Sequence, residues 1–246
     1  MEQGNAQESF AVGEANYDAL YRGKSGLDEM DLSFDGVPWD IGGPQPAIVE
    51  LERVGEFRGA ILDVGCGTGD NAVFLAQRGY VVTGVDASST ALENARERAG
   101  QCDTETLFVL DDVTSLGKIE SLFDTVLDSA LYHCLGQEQR RRYSAALHRV
   151  TRPGATLHLF CFADEGPGCF PAPFQVSMED LRANLNGEWE ISSIDIARYV
   201  SRLTRADLEL LTSRDTGFPK VKPSESEVND QGQVLTPVWR LRARRR

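Results

Sequence analysis

Nine residues constrain this chain more than any others: Ile61-Leu62-Asp63-Val64-Gly65-Cys66-Gly67-Thr68-Gly69. A buried-strand run, Ala60 to Val64, ends there in alternate glycines, and Asn71 to Arg78 follows with helical periodicity and Gly79 as its left-handed cap. A strand feeding a helix through so tight a turn opens a parallel sheet. The pattern then repeats. Tyr80 to Val85 reads as a second strand ending at Asp86, and Asp86-Ala87-Ser88-Ser89 offers cap chemistry for a helix through Ala99, with Leu92, Ala95 and Ala99 at helical spacing. Leu107 to Leu110, before Asp111 and Asp112, is a third strand and Phe123 to Ala130 a fourth. Glu138 to Val150 is a helix with Tyr143, Leu147 and Val150 on one face and Arg140 to Arg142 largely off it. Pro153-Gly154 is expected to turn the chain into a fifth strand, Ala155 to Phe162. Strand and helix alternating at this pitch predict an α/β fold with a parallel sheet wound on both sides.

The flanks are less regular. Tyr17 to Tyr21 reads as helical, ahead of a loop from Gly36 to Pro44 that carries Trp39. Behind the core comes a Gly/Pro/Phe-rich loop, Ala163 to Phe174, then a helix from Ser177 with Asp180 three residues on to complete its cap. Trp189 to Val200 and Val234 to Leu241 are strand-like and are expected to pair as an antiparallel edge. Between them, Thr204 to Gln233 is polar and turn-rich, with a short helix at Ala206 to Leu211; lid, contact surface and disorder all stay open. No repeat or linker divides the 246 residues, so one domain is predicted.

Composition narrows the function classes. The formal charge is −13, and five arginines crowd Arg240 to Arg246, leaving −18 for the rest. So acidic a body repels a phosphate backbone, which excludes nucleic acid as a default partner; the terminal arginines read as a solvated, frayed end, with a nucleic-acid hook as the other reading. No run approaches the roughly 20 apolar residues of a membrane span, and Met1 to Glu8 has no signal-peptide character. The five cysteines are an odd number without C-x-x-C spacing, which argues against a disulfide framework or structural zinc and for a reducing cytoplasm. No His/Asp/Glu cluster has metal-ligand spacing.

The glycines follow a G-x-G-x-G spacing, not the dinucleotide G-x-G-x-x-G. Three carboxylates accompany them. Asp63, inside the motif, can face a cationic amino group. Asp86, 21 positions after Gly65, suits a ribose diol. Asp112 could accept from an exocyclic amine, with Val113 packing on a base. A nucleoside carrying an amino acid answers all three, whereas a pyrophosphate meets only repulsion.

Taken together, ILDVGCGTGD, VTGVDAS, FVLDDV and FDTVLDSALYHCL resemble the successive motifs of class I S-adenosylmethionine-dependent methyltransferases, over roughly residues 58 to 162. The resemblance implies a single Rossmann-like domain with a seven-stranded, mostly parallel sheet and an antiparallel last strand. Residues 1–57 would form N-terminal cap helices and the Trp39 loop, 58–162 the cofactor core, and 163–246 the substrate-side loop and edge strands. It further implies S-adenosylmethionine as cofactor and S-adenosylhomocysteine as product. Asp63, Gly65, Cys66, Gly67 and Gly69 would hold the methionine part, Asp86 and Ala87 the ribose, and Asp112 and Val113 the adenine. Asp128 and Ser129, at the start of the run to Leu131, would line the sulfonium side. The segment VPWDIGGPQPAIVEL resembles the proline-tryptophan-acid segment of the thiopurine and halide/thiol methyltransferase group, and most of all actinobacterial enzymes that methylate heterocyclic toxins. That gives Trp39 a place over the cofactor, where its ring would also attract a cation; simple loop packing is the other reading.

For the acceptor chemistry, His133 follows the fourth strand at the cofactor end and is the candidate base, or else a structural histidine. Tyr17 and Tyr21, one turn apart, could present hydroxyls to the pocket or merely pack. Tyr132, Phe162, Phe170 and Phe174 are candidate pocket walls, which would suit a flat apolar acceptor. His148 and His158 read as structural, and Cys66 and Cys134 as small buried hydrophobes. The expectation is methyl transfer to an O, N or S atom of a small aromatic or heterocyclic compound, in toxin or xenobiotic detoxification, by a monomer or homodimer. Biosynthetic O-methylation of a quinone-like or polyketide metabolite, thiol or halide methylation, and a non-catalytic cofactor-binding protein are the alternatives.

Overall fold

A computed structural model describes residues 16–23, 37–169, 174–213 and 221–246. The parallel core forms where the apolar runs predict it: β1 (Ala60–Val64), β2 (Val81–Asp86), β3 (Leu107–Leu110), β4 (Phe123–Ser129) and β5 (Thr151–Phe162). Their order is β3-β2-β1-β4-β5, all parallel, so the chain reverses direction between β1 and β4. Ligands of open α/β sheets bind at such a switch point, beyond the carboxyl ends of the strands.

Helices cover both faces. On one, α2 (Pro46–Arg53), α3 (Asp70–Gln77) and α4 (Ser89–Gln101) bury Ile48, Leu51, Val73, Leu75 and Leu92 against Ile61, Leu127 and Phe160. On the other, α5 (Gln137–Arg149) and α6 (Met178–Leu185) bury Tyr143, Leu147, Leu181 and Leu185 against Leu62, Val64, Val126 and Leu157. The caps act as the sequence implies. Ser88 Oγ accepts from the Ala91 amide at 3.0 Å, and Ser177 Oγ from the Asp180 amide at 3.1 Å.

Three expectations are corrected. Pro153-Gly154 is not a turn before β5. It lies inside the strand as a bulge, between the pairs Phe123↔Thr151 and Thr125↔Thr156, with Gly154 at φ +78°. Arg140 does not leave the buried face of α5; its guanidinium pairs with Asp180 at 2.9 Å and lies 5.0 Å over the Tyr132 ring. The C-terminal arginines are not a frayed end: they lie in β8 (Gln233–Arg245), which runs antiparallel between β5 and β6 (Trp189–Thr204). Trp239, Leu241 and Ala243 point into the α5–α6 core, whereas Arg240, Arg242 and Arg244 alternate to the opposite face. The antiparallel last strand is as expected: β8 lies between β5 and β6, and a two-residue β7 (Glu227–Val228) on β8 adds an eighth strand to the seven.

Two helices lie outside this core. The short α1 (Tyr17–Tyr21) packs near the start of α4. The α7 helix (Arg205–Ser213) joins β7 and β8 through a small cluster of Leu208, Leu211, Val221 and Val234. The described part of residues 204–233 is therefore packed structure. Among the described residues no helix is long and apolar enough to cross a membrane.

Candidate functional site

The glycine loop sits at the switch point with its backbone in conformations that disfavour side chains: Gly65 has φ +65° and Gly67 φ +53°. Neighbours fill the space that a side chain would need. A Cβ at Gly65 would lie 2.8 Å from that of Leu131, just past β4, and one at Gly67 would lie 2.7 Å from Tyr21 Oη. Asp86, at the end of β2, holds the loop in place. Its Oδ2 accepts from the Gly67 amide at 2.9 Å and its Oδ1 from the Ser88 amide at 2.8 Å.

Asp63 lies under this loop and is 1% exposed. Neither of its oxygens has a hydrogen-bond partner among the described residues. Burial holds its carboxyl well above the usual range, and Asp128, Asp86 and Asp70 add to the effect, while the Ala72 amide pulls the other way. A buried carboxylate without a cation is costly, and the methionine amino group is the cation that would satisfy it. The residues present therefore fit the cofactor that the motifs imply.

Three aromatic rings close the outer side. Trp39 Nε1 donates to Tyr21 Oη at 3.0 Å, and its ring meets Tyr21 and Tyr17 edge-on at centroid distances of 6.1 and 6.3 Å. Trp39 remains 40% exposed. The loop behind it is tied to the glycine loop: Asp40 Oδ1 accepts from Gly42, its Oδ2 lies 3.3 Å from Thr68 Oγ1, and Arg98 bridges Asp40 and Asp70. Burial, above all, raises the phenols of Tyr17 and Tyr21.

Other candidates are distributed less uniformly. Asp112 accepts from the Thr114 amide and hydroxyl at 2.8 and 2.9 Å, and Val113 is buried in the core. Cys66 is half-buried in the loop and Ala87 exposed beside Asp86. Ser129 ends β4, where Asn71 Nδ2 donates to its hydroxyl at 3.0 Å. Asp128 turns to the other face. Its carboxylate takes the Leu131 and Tyr132 amides at 2.9 and 3.3 Å and the Tyr143 hydroxyl at 2.6 Å, so it braces the chain after β4. Tyr132 corrects the pocket expectation: it is fully buried, with its hydroxyl on Asp180 at 3.0 Å, because the helical turn Tyr132–Cys134 aims it at α5 and α6.

His133, one residue on, points elsewhere. Its ring stacks on Phe162 at 3.9 Å and 18°, and its Nδ1 accepts from the Phe162 amide at 3.4 Å. Burial, then Arg140, pushes its pKa down to about 3, so the imidazole is neutral with its proton on Nε2. Phe174 is half-buried, and Phe170 lies outside the described residues. No group of three or more His, Cys, Asp or Glu among the described residues could hold a metal. Sequence reading missed Asp40, Thr68, Asp70, Asn71 and Arg98; the polar start of α3, Asp70-Asn71, was the available signal.

Comparison with known proteins gives the family. A family described as a methyltransferase domain matches residues 61–154. The 2-heptyl-1-hydroxyquinolin-4(1H)-one methyltransferase of Mycobacteroides abscessus is 34% identical over 163 residues, 65% of this chain and 72% of that protein. The 27-O-demethylrifamycin SV methyltransferase of Amycolatopsis mediterranei is 29% identical over 190 residues, 75% of this chain and 61% of that protein. A solved structure concerned with conversion of a disulfide bond into a thioacetal group during echinomycin biosynthesis superposes with a TM-score of 0.71. It is 35% identical and covers 93% of this chain and 91% of its own. The chain belongs to the S-adenosylmethionine-dependent methyltransferases. It is an enzyme of that class, with S-adenosylmethionine as its cofactor.

Proposed function

We propose that this enzyme methylates a small aromatic or heterocyclic acceptor whose heteroatom is acidic enough to ionise by itself, an N-hydroxy heterocycle or a heteroaryl thiol. One observation carries the reading: the titratable groups at the acceptor end are tuned away from base catalysis. His133 is pushed down to about 3, Cys134 up to about 12, and the Tyr17 and Tyr21 phenols are raised, each by burial first. None of them accepts a proton readily near neutral pH. The acceptor must therefore arrive with a free lone pair, and the protein's contribution is alignment. The His133–Phe162 stack suits a flat ring better than a halide ion. Similarity to the hydroxyquinolone enzyme supports the same class.

When bound, S-adenosylmethionine supplies a methyl group on a positively charged sulfur and leaves as the neutral thioether. In this reading Asp63 and the backbone of Gly65, Cys66, Gly67 and Gly69 hold the methionine part, Asp86 with Ala87 the ribose, and Asp112 with Val113 the adenine. Asp112 keeps accepting capacity beyond its two Thr114 bonds. Trp39, Tyr21 and Tyr17 cover the cofactor, and Ser129 stands at the methyl-transfer end. Phe162 and Phe174 wall the acceptor, and His133 orients it as a neutral donor. Protection against a heterocyclic toxin, in a cytoplasm that keeps the five free thiols reduced, is the role this chemistry fits.

The test is methyl transfer from labelled cofactor to N-hydroxyquinolones, mercapto-heterocycles, phenols, quinols, alkyl thiols and iodide. The expected result is turnover on the first two, with kcat/KM following the ionised fraction of the acceptor. Turnover confined to quinols or unactivated phenols would overturn the reading in favour of biosynthetic O-methylation, the activity to which the rifamycin relative points.

A further inference from the structure

Four segments that carry the site are joined by a ring of hydrogen bonds none of the motifs announces. The Gln45 amide donates to Asn71 Oδ1 at 3.1 Å, and Asn71 Nδ2 donates to Ser129 Oγ at 3.0 Å. Ser129 Oγ shares a hydrogen bond with Tyr199 Oη at 2.8 Å. The next residue of β6, Val200, returns to the start: its amide donates to Gln45 Oε1 at 3.0 Å, and its carbonyl accepts from Gln45 Nε2 at 2.9 Å. Gln45 and Tyr199 are 6% and 5% exposed, and the Tyr199 ring stacks on Phe160 at 5.2 Å. Buried polar groups satisfied on every side in this way permit one arrangement.

The same stretch of β6 grips the other end of the Trp39 loop. The Pro38 carbonyl accepts from the Arg202 amide at 2.8 Å and from Ser201 Oγ at 3.2 Å. Trp39 therefore lies in a loop anchored at Pro38 and at Gln45, both on residues 200–202. Ordinary sheet pairing does not require this: the β6–β8 register breaks between Val200 and Thr204, where these bonds form. Asn71 and Ser129 extend the clamp to the first turn of α3 and the end of β4, on either side of the glycine loop.

We propose that Gln45 and Tyr199 are positioning residues that hold the Trp39 loop at a fixed height over the glycine loop, so that the end of β6, outside the cofactor core, sets how tightly the cofactor is enclosed. This rests on the reading of Trp39 as the cofactor's cover. The test uses the full chain with Tyr199→Phe, which keeps the stack on Phe160, and Gln45→Ala. Of the three tryptophans only Trp39 is exposed, at 40% against 0% and 2% for Trp189 and Trp239, so acrylamide quenching reports on the loop, with Trp39→Phe as the blank. Both variants should raise quenching of Trp39 and weaken S-adenosylhomocysteine binding, measured by calorimetry, by about fivefold, the size of one lost hydrogen bond. A ring that only stabilises the fold would lower the melting temperature and leave both readouts of the folded protein unchanged; that result in both variants overturns the proposal. Trp39→Phe separates the two ideas. If it binds S-adenosylhomocysteine as tightly as the wild type, the cover reading and the claim on cofactor enclosure fall together. If it binds more weakly while Tyr199→Phe and Gln45→Ala do not, the cover stands and the positioning role falls.

Discussion

Asp63 and Asp128 end neighbouring strands of one sheet, and both are buried, yet they belong to different parts of the molecule. Asp63 pairs in register with Leu127 and Asp128 with Val64, so the two carboxylates face opposite sides. On the α5 side, Asp128 receives two amides and a tyrosine hydroxyl. On the glycine-loop side, Asp63 has no hydrogen bond of good geometry among the described residues, only the weak pull of the Ala72 amide, and three acidic neighbours raise its pKa further. Both residues belong to the family's motifs, and both were candidates for the cofactor. The difference teaches that burial alone does not separate a structural carboxylate from one able to take a ligand; the missing partner does. A protein that leaves one buried carboxylate unsatisfied beside another it satisfies fully has room for a ligand cation at the first.

The largest effect should come from Asp63→Asn. It should weaken S-adenosylhomocysteine binding by about a hundredfold, the scale of a buried ion pair missing one charge, and leave thermal stability equal or higher. Calorimetry showing less than a threefold change would break the contrast. The wild type has a matching pH signature. Burial raises the pKa of the free Asp63 carboxyl and the ligand's amino cation lowers it again, so binding should release protons and tighten as pH rises through the free carboxyl's raised pKa. Binding enthalpies that do not depend on the buffer's ionisation heat would count against this.

Asp128→Ala should do the reverse. Loss of its three hydrogen bonds should lower the unfolding free energy by about 2 kcal/mol, while folded protein binds S-adenosylhomocysteine within about twofold of wild type. Urea titration and calorimetry on one preparation check both halves. Tyr143→Phe should cost about 1 kcal/mol and sharpen the same point through pH. Burial raises Asp128 from 3.8 to about 7, so its contribution is greatest below about pH 4 and is lost as pH rises through about 7. The Tyr143 hydroxyl opposes that rise, so its removal should move the loss to higher pH, seen in melting temperatures across pH 4 to 9.

The smallest effect concerns His133. With a pKa of about 3 it should add no inflection to kcat/KM between about pH 5 and 9 beyond the acceptor's own ionisation, and His133→Gln should keep that profile with a rate within about threefold of wild type. A basic limb near pH 6.5 that vanishes in the variant would restore His133 as the base.

The parallel half of the sheet was legible because each of β1 to β4 is a short apolar run with its own turn or cap chemistry. Gly79 and Ser88 are local signals with local consequences. The strand from Val234 to Leu241 was legible too, but its continuation through Arg242 to Arg245 was not, although Leu241 and Ala243 alternate with Arg242 and Arg244 as a strand should. Charge on one face suggested solvent, whereas β5 and β6 on either side gave the backbone its partners and the other face its core. Tyr132 and His133 show the limit more sharply. They are consecutive and similarly placed in the motif, but a single helical turn sends one to Asp180 and the other to Phe162.

The sequence alone determined the parallel core, the glycine loop, the cofactor class and the three acidic positions, because these depend on spacing within short segments. Only the tertiary structure decided which carboxylate lacks a partner, that His133 is neutral, and that β6 anchors the Trp39 loop. Those properties come from groups far apart in the chain, such as Gln45 and Val200 or Asp63 and Asp128, whose burial and hydrogen bonds exist only once the sheet has brought them together.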